Sequence, residues 1–89
     1  MSLIDAGDSV MLGEGVRLFE VRVPASLAGR RLADTGIGSR TGLSVVAVEA
    51  HGGLSSQLSA DHVLPSGGTP LMLGSAGQRR RFAEAFEGR

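Results

Sequence analysis

The chain has no cysteine, no tryptophan and no tyrosine, and its 89 residues hold only three aromatic side chains, all phenylalanine. Without cysteine there is no disulfide staple and no thiolate ligand for a metal. A chain this short buries only about 60–65% of the surface its unfolded form exposes. Its small core must therefore rely on good packing or on association with a second copy. The scarcity of aromatic residues argues against a deep catalytic pocket. An excess of charge is also missing, since nine basic residues balance nine acidic ones. The basic footprint of a nucleic-acid binder is absent, and nucleic acid is not expected as a partner. No window approaches the roughly 18–20 apolar residues of a membrane span, and the N-terminus lacks the pattern of a signal peptide. The expectation is a soluble domain on the cytoplasmic side, without direct membrane insertion. Met1-Ser2-Leu3 carries no structural weight, and the whole reads as one small domain, a fragment of something longer.

Fourteen glycines stand out among what is present. Most mark joints between short elements. The longest apolar run is Leu43–Ala50, bounded by Gly42 and by Gly52-Gly53. Its valines predict a strand covered on both faces, central in its sheet. Before it, Leu18–Val23 alternates, with Phe19, Val21 and Val23 on one face and Glu20 and Arg22 with Leu18 on the other. Pro24 ends that strand. Ser26 is placed to cap a short helix whose apolar side is Leu27, Leu32, Ala33 and Ile37. After the Gly52-Gly53 turn, Leu54–Leu58 reads as a weaker edge strand. Residues 59–68 read as a loop anchored by Val63-Leu64, and Pro70–Leu73 as a short strand. Ser75 opens the last helix with Gln78 at capping-box spacing. Phe82 and Phe86 give that helix a narrow apolar stripe, and Arg80 and Glu84 can pair across one turn. Residues 1–16 read as a linker, with Val10-Met11-Leu12 as a short strand that pairs elsewhere, and residues 17–89 as the domain. The fold class is α+β: a small β-α-β-β-β-α domain, its mixed or antiparallel sheet packed by helices.

Motifs for chemistry are few. Gly36–Gly42 nearly spells a dinucleotide fingerprint, but its glycines follow a helix and open a strand, the reverse of what a pyrophosphate site needs. It reads instead as a helix C-cap and turn. His51 and His62 are the only histidines and have no paired ligand spacing, so no metal site is expected. No serine sits in a nucleophile elbow, and no enzyme is expected. Arg79-Arg80-Arg81 reads as a solvated face. Arg30, Arg31 and Arg40 form a second basic group that could hold an anion if they converge.

Taken together, Val21–Pro24, Leu27–Leu32, Arg40–Val48, Val63-Leu64, Gly68, Leu71–Gly74 and the closing helix make a family pattern. The chain resembles the RCK C-terminal (TrkA-C) domain over about residues 17–87. Two departures stand out: Gly68-Thr69 replaces the usual Gly-Asp before the last strand, and Ser59-Ala60-Asp61 lacks the usual proline. The nucleotide-binding N-terminal half of such proteins is not in this chain, so ATP, ADP or NAD binding is not carried over. The resemblance implies a homodimeric regulatory domain of a potassium channel or cation transporter. Its partners would be a second copy, a membrane-embedded channel or transporter part and an RCK N-terminal domain. Some relatives bind cyclic di-AMP in the groove between two C-terminal domains. The matching residues here are Leu32, Ile37, Arg40, Val45 and Val46, with Arg40 able to pair a phosphate bidentately. Two alternatives stay open: a purely structural dimerisation domain without ligand, and a small-molecule-binding regulatory module of a metabolic enzyme.

Overall fold

The computed structural model describes residues 9–87, so residues 1–8 of the linker expected over residues 1–16 and the end of the domain at 88–89 lie outside the described residues. In chain order the elements are β1 (Val10–Gly13), β2 (Val16–Glu20), α1 (Leu32–Thr35), α2 (Ile37–Thr41), β3 (Ser44–Ala50), β4 (Gly53–Ser55), β5 (Thr69–Gly74) and α3 (Ala76–Phe82), the last continued by a π-helical turn over Ala83–Glu87. The strands form one sheet in the order β1-β2-β5-β3-β4, and every pairing is antiparallel. The α+β class holds. The short strand expected near Val10 is β1, and it forms a hairpin with β2 around Glu14 and Gly15.

Side chains alternate across a strand, so the register sorts them into two faces. Phe19, Met72 and Val45 share one row, and Val48 pairs with Pro70 on that same face. Against it pack Ile37 from α2 and Phe82 and Phe86 from the closing helix, with Leu27, Leu43 and Leu64 filling between. Each such side chain contributes about 1.5–3 kcal/mol by leaving water. The Ser75 capping box forms as expected: the Ser75 hydroxyl accepts from the Gln78 N–H, and Gln78 Oε1 accepts from the Ser75 N–H. The Phe82 and Phe86 rings meet at 5.0 Å between centroids.

Four expectations are corrected. The helix expected from Ser26 does not form there. Residues 29–33 instead exchange backbone hydrogen bonds with residues 60–64, among them Gly29 N–H to Leu64 O at 2.8 Å and Leu64 N–H to Arg30 O at 2.9 Å. Non-local pairing has displaced local propensity, and Gly29 and Gly36, both left-handed, confine the helix to α1. The Gly36–Gly42 segment is not only a cap and turn, because it contains α2, closed in turn by left-handed Gly42. Leu43–Ala50 is not the centre of the sheet. That place belongs to β5, and β3 carries a bulge between Val45 and Ala47 that leaves Val46 exposed. Finally, the closing helix pairs Arg79 with Glu87 at 3.0 Å, because the π-helical turn shifts the register of its last charges.

Candidate functional site

The face of the sheet away from the helices is the unusual surface. By register, Val10, Leu18, Leu73 and Ser44 make one row across it, and Glu20, Leu71 and Ala47 make the next. Val16 joins them from β2 and Leu54 from β4, opposite Glu49. An antiparallel sheet with one solvated face normally shows alternating polar residues there. Here that face carries leucines and valines. Val16 is 40% exposed and Leu54 62%, while Leu18, Leu71 and Leu73 are half-buried. Among the described residues no helix packs on it. Glu20 and Glu49 mark its polar margin.

The five ligand residues read from the sequence do not form one groove within a single chain. Ile37 is buried, and Leu32 and Val45 pack against the core from half-buried positions. Arg40 and Val46 reach solvent. The Arg40 guanidinium lies over the Phe86 ring, 4.8 Å from its centroid, so the free chain uses it to brace the closing helix. Such a contact is worth about 0.5–1 kcal/mol at an exposed site. Arg30 and Arg31, the other members of that basic group, have partners of their own. Arg30 donates to the Asp34 carbonyl at 2.7 Å, and Arg31 bridges Asp34 and Asp61 at 2.9 and 3.2 Å. Asp61 is thus an ion-pair partner of Arg31. A groove of about 560 Å³ runs between Pro24–Ser26 and Phe86, and it takes in none of the five.

Other chemistry is sparse. Among the described residues no three His, Asp or Glu side chains stand together as a metal site. No described helix is long and apolar enough to cross a membrane. Sequence reasoning missed the leucines of the outer face. The available signal was that Val16, Leu18, Leu71 and Leu73 put apolar residues on both sides of their strands.

No model of a known protein family matches the chain, and no curated protein matches it. Solved structures do. The RCK domain of GsuK is 27% identical, with a TM-score of 0.75 over 85% of this chain and 17% of that one. The intact GsuK channel is 26% identical with a TM-score of 0.76, and this chain spans only 14% of its length. The RCK C domain of the potassium transport protein KtrA, in complex with cyclic di-AMP, is 19% identical with a TM-score of 0.72 over 78% of this chain and 81% of that one. An RCK_C dimer of S. agalactiae BusR with cyclic di-AMP matches at 20% identity and a TM-score of 0.71, covering 81% and 97% of the two chains. A longer BusR chain, bound to its busA-promotor DNA, matches at 20% identity and a TM-score of 0.74, covering 90% and 41% of the two chains. The chain has the fold of an RCK C-terminal domain.

Proposed function

We propose that the chain is a self-associating regulatory domain that senses a phosphate-bearing small molecule for a potassium channel or cation transporter, on the cytoplasmic side of the membrane. The observation that carries this reading is the apolar outer face of the sheet. A small core gains most by burying such a face against a second copy, and a two-fold pair needs only one self-complementary patch. Arg40 and Val46 are the surface members of the ligand set, while Ile37 is core and Leu32 and Val45 are half-buried. A planar guanidinium suits a phosphate bidentately. The cyclic di-AMP in the KtrA and BusR structures favours a cyclic dinucleotide as the ligand. A ligand that prefers one arrangement of the pair would shift its population and so act on whatever the domain is joined to. GsuK is also known bound to NAD, but this chain covers 14% of that protein, so NAD enters only as a comparison ligand.

The test is thermal unfolding with cyclic di-AMP, NAD and mononucleotides in separate arms. A ligand at about 100 times its dissociation constant adds ~2.7 kcal/mol, several degrees in a domain of this size. Cyclic di-AMP should raise the midpoint and the others should not. A paired protein that responds to none of them would establish the structural alternative, a dimerisation domain without ligand. BusR on its promoter DNA favours one further role, in a DNA-binding protein. The balanced charge of this chain therefore does not exclude nucleic acid for the protein to which it belongs, contrary to the expectation from composition.

A further inference from the structure

We infer that Phe86 and Ser26 are positioning residues for Arg40, so that the order of the closing turn sets how well the domain holds a phosphate. This rests on the reading of Arg40 as the phosphate ligand and adds what regulates it. A long, exposed arginine samples many rotamers and loses that freedom when it binds. Two contacts already restrict Arg40. Its stem crosses Gly36, where a methyl group would stand 3.1 Å from Arg40 Cδ and 3.5 Å from Cγ. Its guanidinium lies over the Phe86 ring, 4.8 Å from the centroid. Arg40 is in no ion pair among the described residues, so its charge stays available to an anion.

Phe86 is itself held from two directions. Its ring is core, 6% exposed, and meets Phe82 at 5.0 Å between centroids. Its carbonyl accepts the Ser26 hydroxyl at 2.9 Å, across 60 positions of sequence. The last carbonyls of a helix have no partner within it, so Ser26 both satisfies this one and anchors the turn. One residue on, Arg79 holds Glu87 at 3.0 Å. A π-helical turn is rare and is often found at functional sites. Here it is the segment that carries Phe86.

The contacts therefore run from the Ser26 hydroxyl to the Phe86 backbone, and from the Phe86 ring to the Arg40 guanidinium. An observed dissociation constant is the intrinsic one divided by the fraction of molecules ready to bind. Loosening the turn lowers the fraction with Arg40 in place, and the affinity falls with it. Linkage makes the effect reciprocal, because a phosphate on Arg40 steadies the turn in return. Whatever grips or frees Ala83–Glu87 thus regulates the ligand, and the ligand is reported at the turn.

The test is calorimetric titration of the full chain with cyclic di-AMP, and with pyrophosphate as a second probe. The parent is compared with Phe86→Leu, Ser26→Ala and Ser26→Thr, each confirmed as folded by far-UV circular dichroism. Affinity should fall about fivefold in Phe86→Leu, the worth of a lost cation–π contact. It should fall about two- to threefold in Ser26→Ala, within the worth of one hydrogen bond. Ser26→Thr, which keeps the hydroxyl, should bind like the parent. In the free chains the NMR signal of the Arg40 Nε–H is identified by its loss in Arg40→Lys. It should leave its ring-shifted position in Phe86→Leu and move part of the way in Ser26→Ala. Amide exchange at Ala83–Glu87 should slow when the ligand is bound. Unchanged affinity in Ser26→Ala and Phe86→Leu, or an Arg40 signal indifferent to Phe86, would overturn the positioning and leave the ligand reading intact. Equal losses in Ser26→Ala and Ser26→Thr would overturn the part given to the hydroxyl. A parent that binds neither probe would overturn both readings.

Discussion

The two faces of the sheet are built from the same strands and are both apolar, yet among the described residues only one is covered by helices of its own chain. Phe19, Val48 and Met72 lie under Ile37, Phe82 and Phe86. Leu18, Leu71 and Leu73, on the neighbouring positions of the same strands, have no helix over them among the described residues. Hydrophobic alternation shows which residues want to leave water, not which molecule will cover them. The contrast is sharpest in a truncation on each side. Phe82→Ala should cost about 3–5 kcal/mol, because the ring is fully buried and little can collapse into its space. That is a large share of the 5–15 kcal/mol that holds a domain together. Leu73→Ala should cost under about 1 kcal/mol in dilute solution, and more only at concentrations where the chain pairs. Urea unfolding followed by circular dichroism at two protein concentrations separates the cases. Equal costs at both concentrations would mean that the outer face is not a pairing surface.

A second comparison lies between two glycines near the closing helix. A methyl group on Gly74 would run into the Leu43 side chain and Gln78 Oε1. Leu43 is buried, and that Gln78 oxygen is already accepting the Ser75 N–H of the capping box. Gly74→Ala should therefore cost about 1–3 kcal/mol through overpacking and a disturbed cap. Gly77, inside α3, has its nearest such contact at 3.8 Å and an ordinary backbone. Gly77→Ala should stabilise by about 0.4–1 kcal/mol, because only the unfolded chain loses freedom. The sign change between neighbouring glycines is measurable in the same denaturant series. Two changes of the same sign would show that packing at Gly74 is looser than the contacts imply.

What could be read in advance follows from range in sequence. The capping box, the Phe82–Phe86 stripe and the strand nature of Leu43–Ala50 are local, and all three are present. The helix expected after Ser26 was lost to hydrogen bonds with residues more than 25 positions away, which no local pattern announces. Ser26 finds its use elsewhere, donating to the Phe86 carbonyl at 2.9 Å and tying the π-helical turn to the body of the domain. The place of β3 is not legible in its sequence, because a run of valines looks the same whether a bulge exposes one of them or not. Of the ligand set, the family pattern treats Leu32, Ile37, Arg40, Val45 and Val46 alike, and only side-chain packing separates Ile37, which is core, from Arg40, which is surface.

Arg40 is where the smallest stability effect and the largest functional one should coincide. In the free chain its guanidinium stacks on Phe86 and touches no carboxylate among the described residues. Arg40→Ala should lower the stability of the free chain by only about 0.5–1 kcal/mol, the worth of an exposed cation–π contact. If Arg40 also holds a phosphate of the ligand, the same substitution should abolish the thermal shift given by cyclic di-AMP. Arg40→Lys separates the roles further, because lysine keeps the charge and loses the planar, two-pronged geometry. A phosphate site should then be weakened rather than abolished, with the baseline close to that of the parent. A lowered baseline with an undiminished ligand shift would leave Arg40 as a brace for the closing helix. The ligand's phosphates would then have to be held by other cations, and Arg22, Arg80 and Arg81, which are exposed, would be the next to replace.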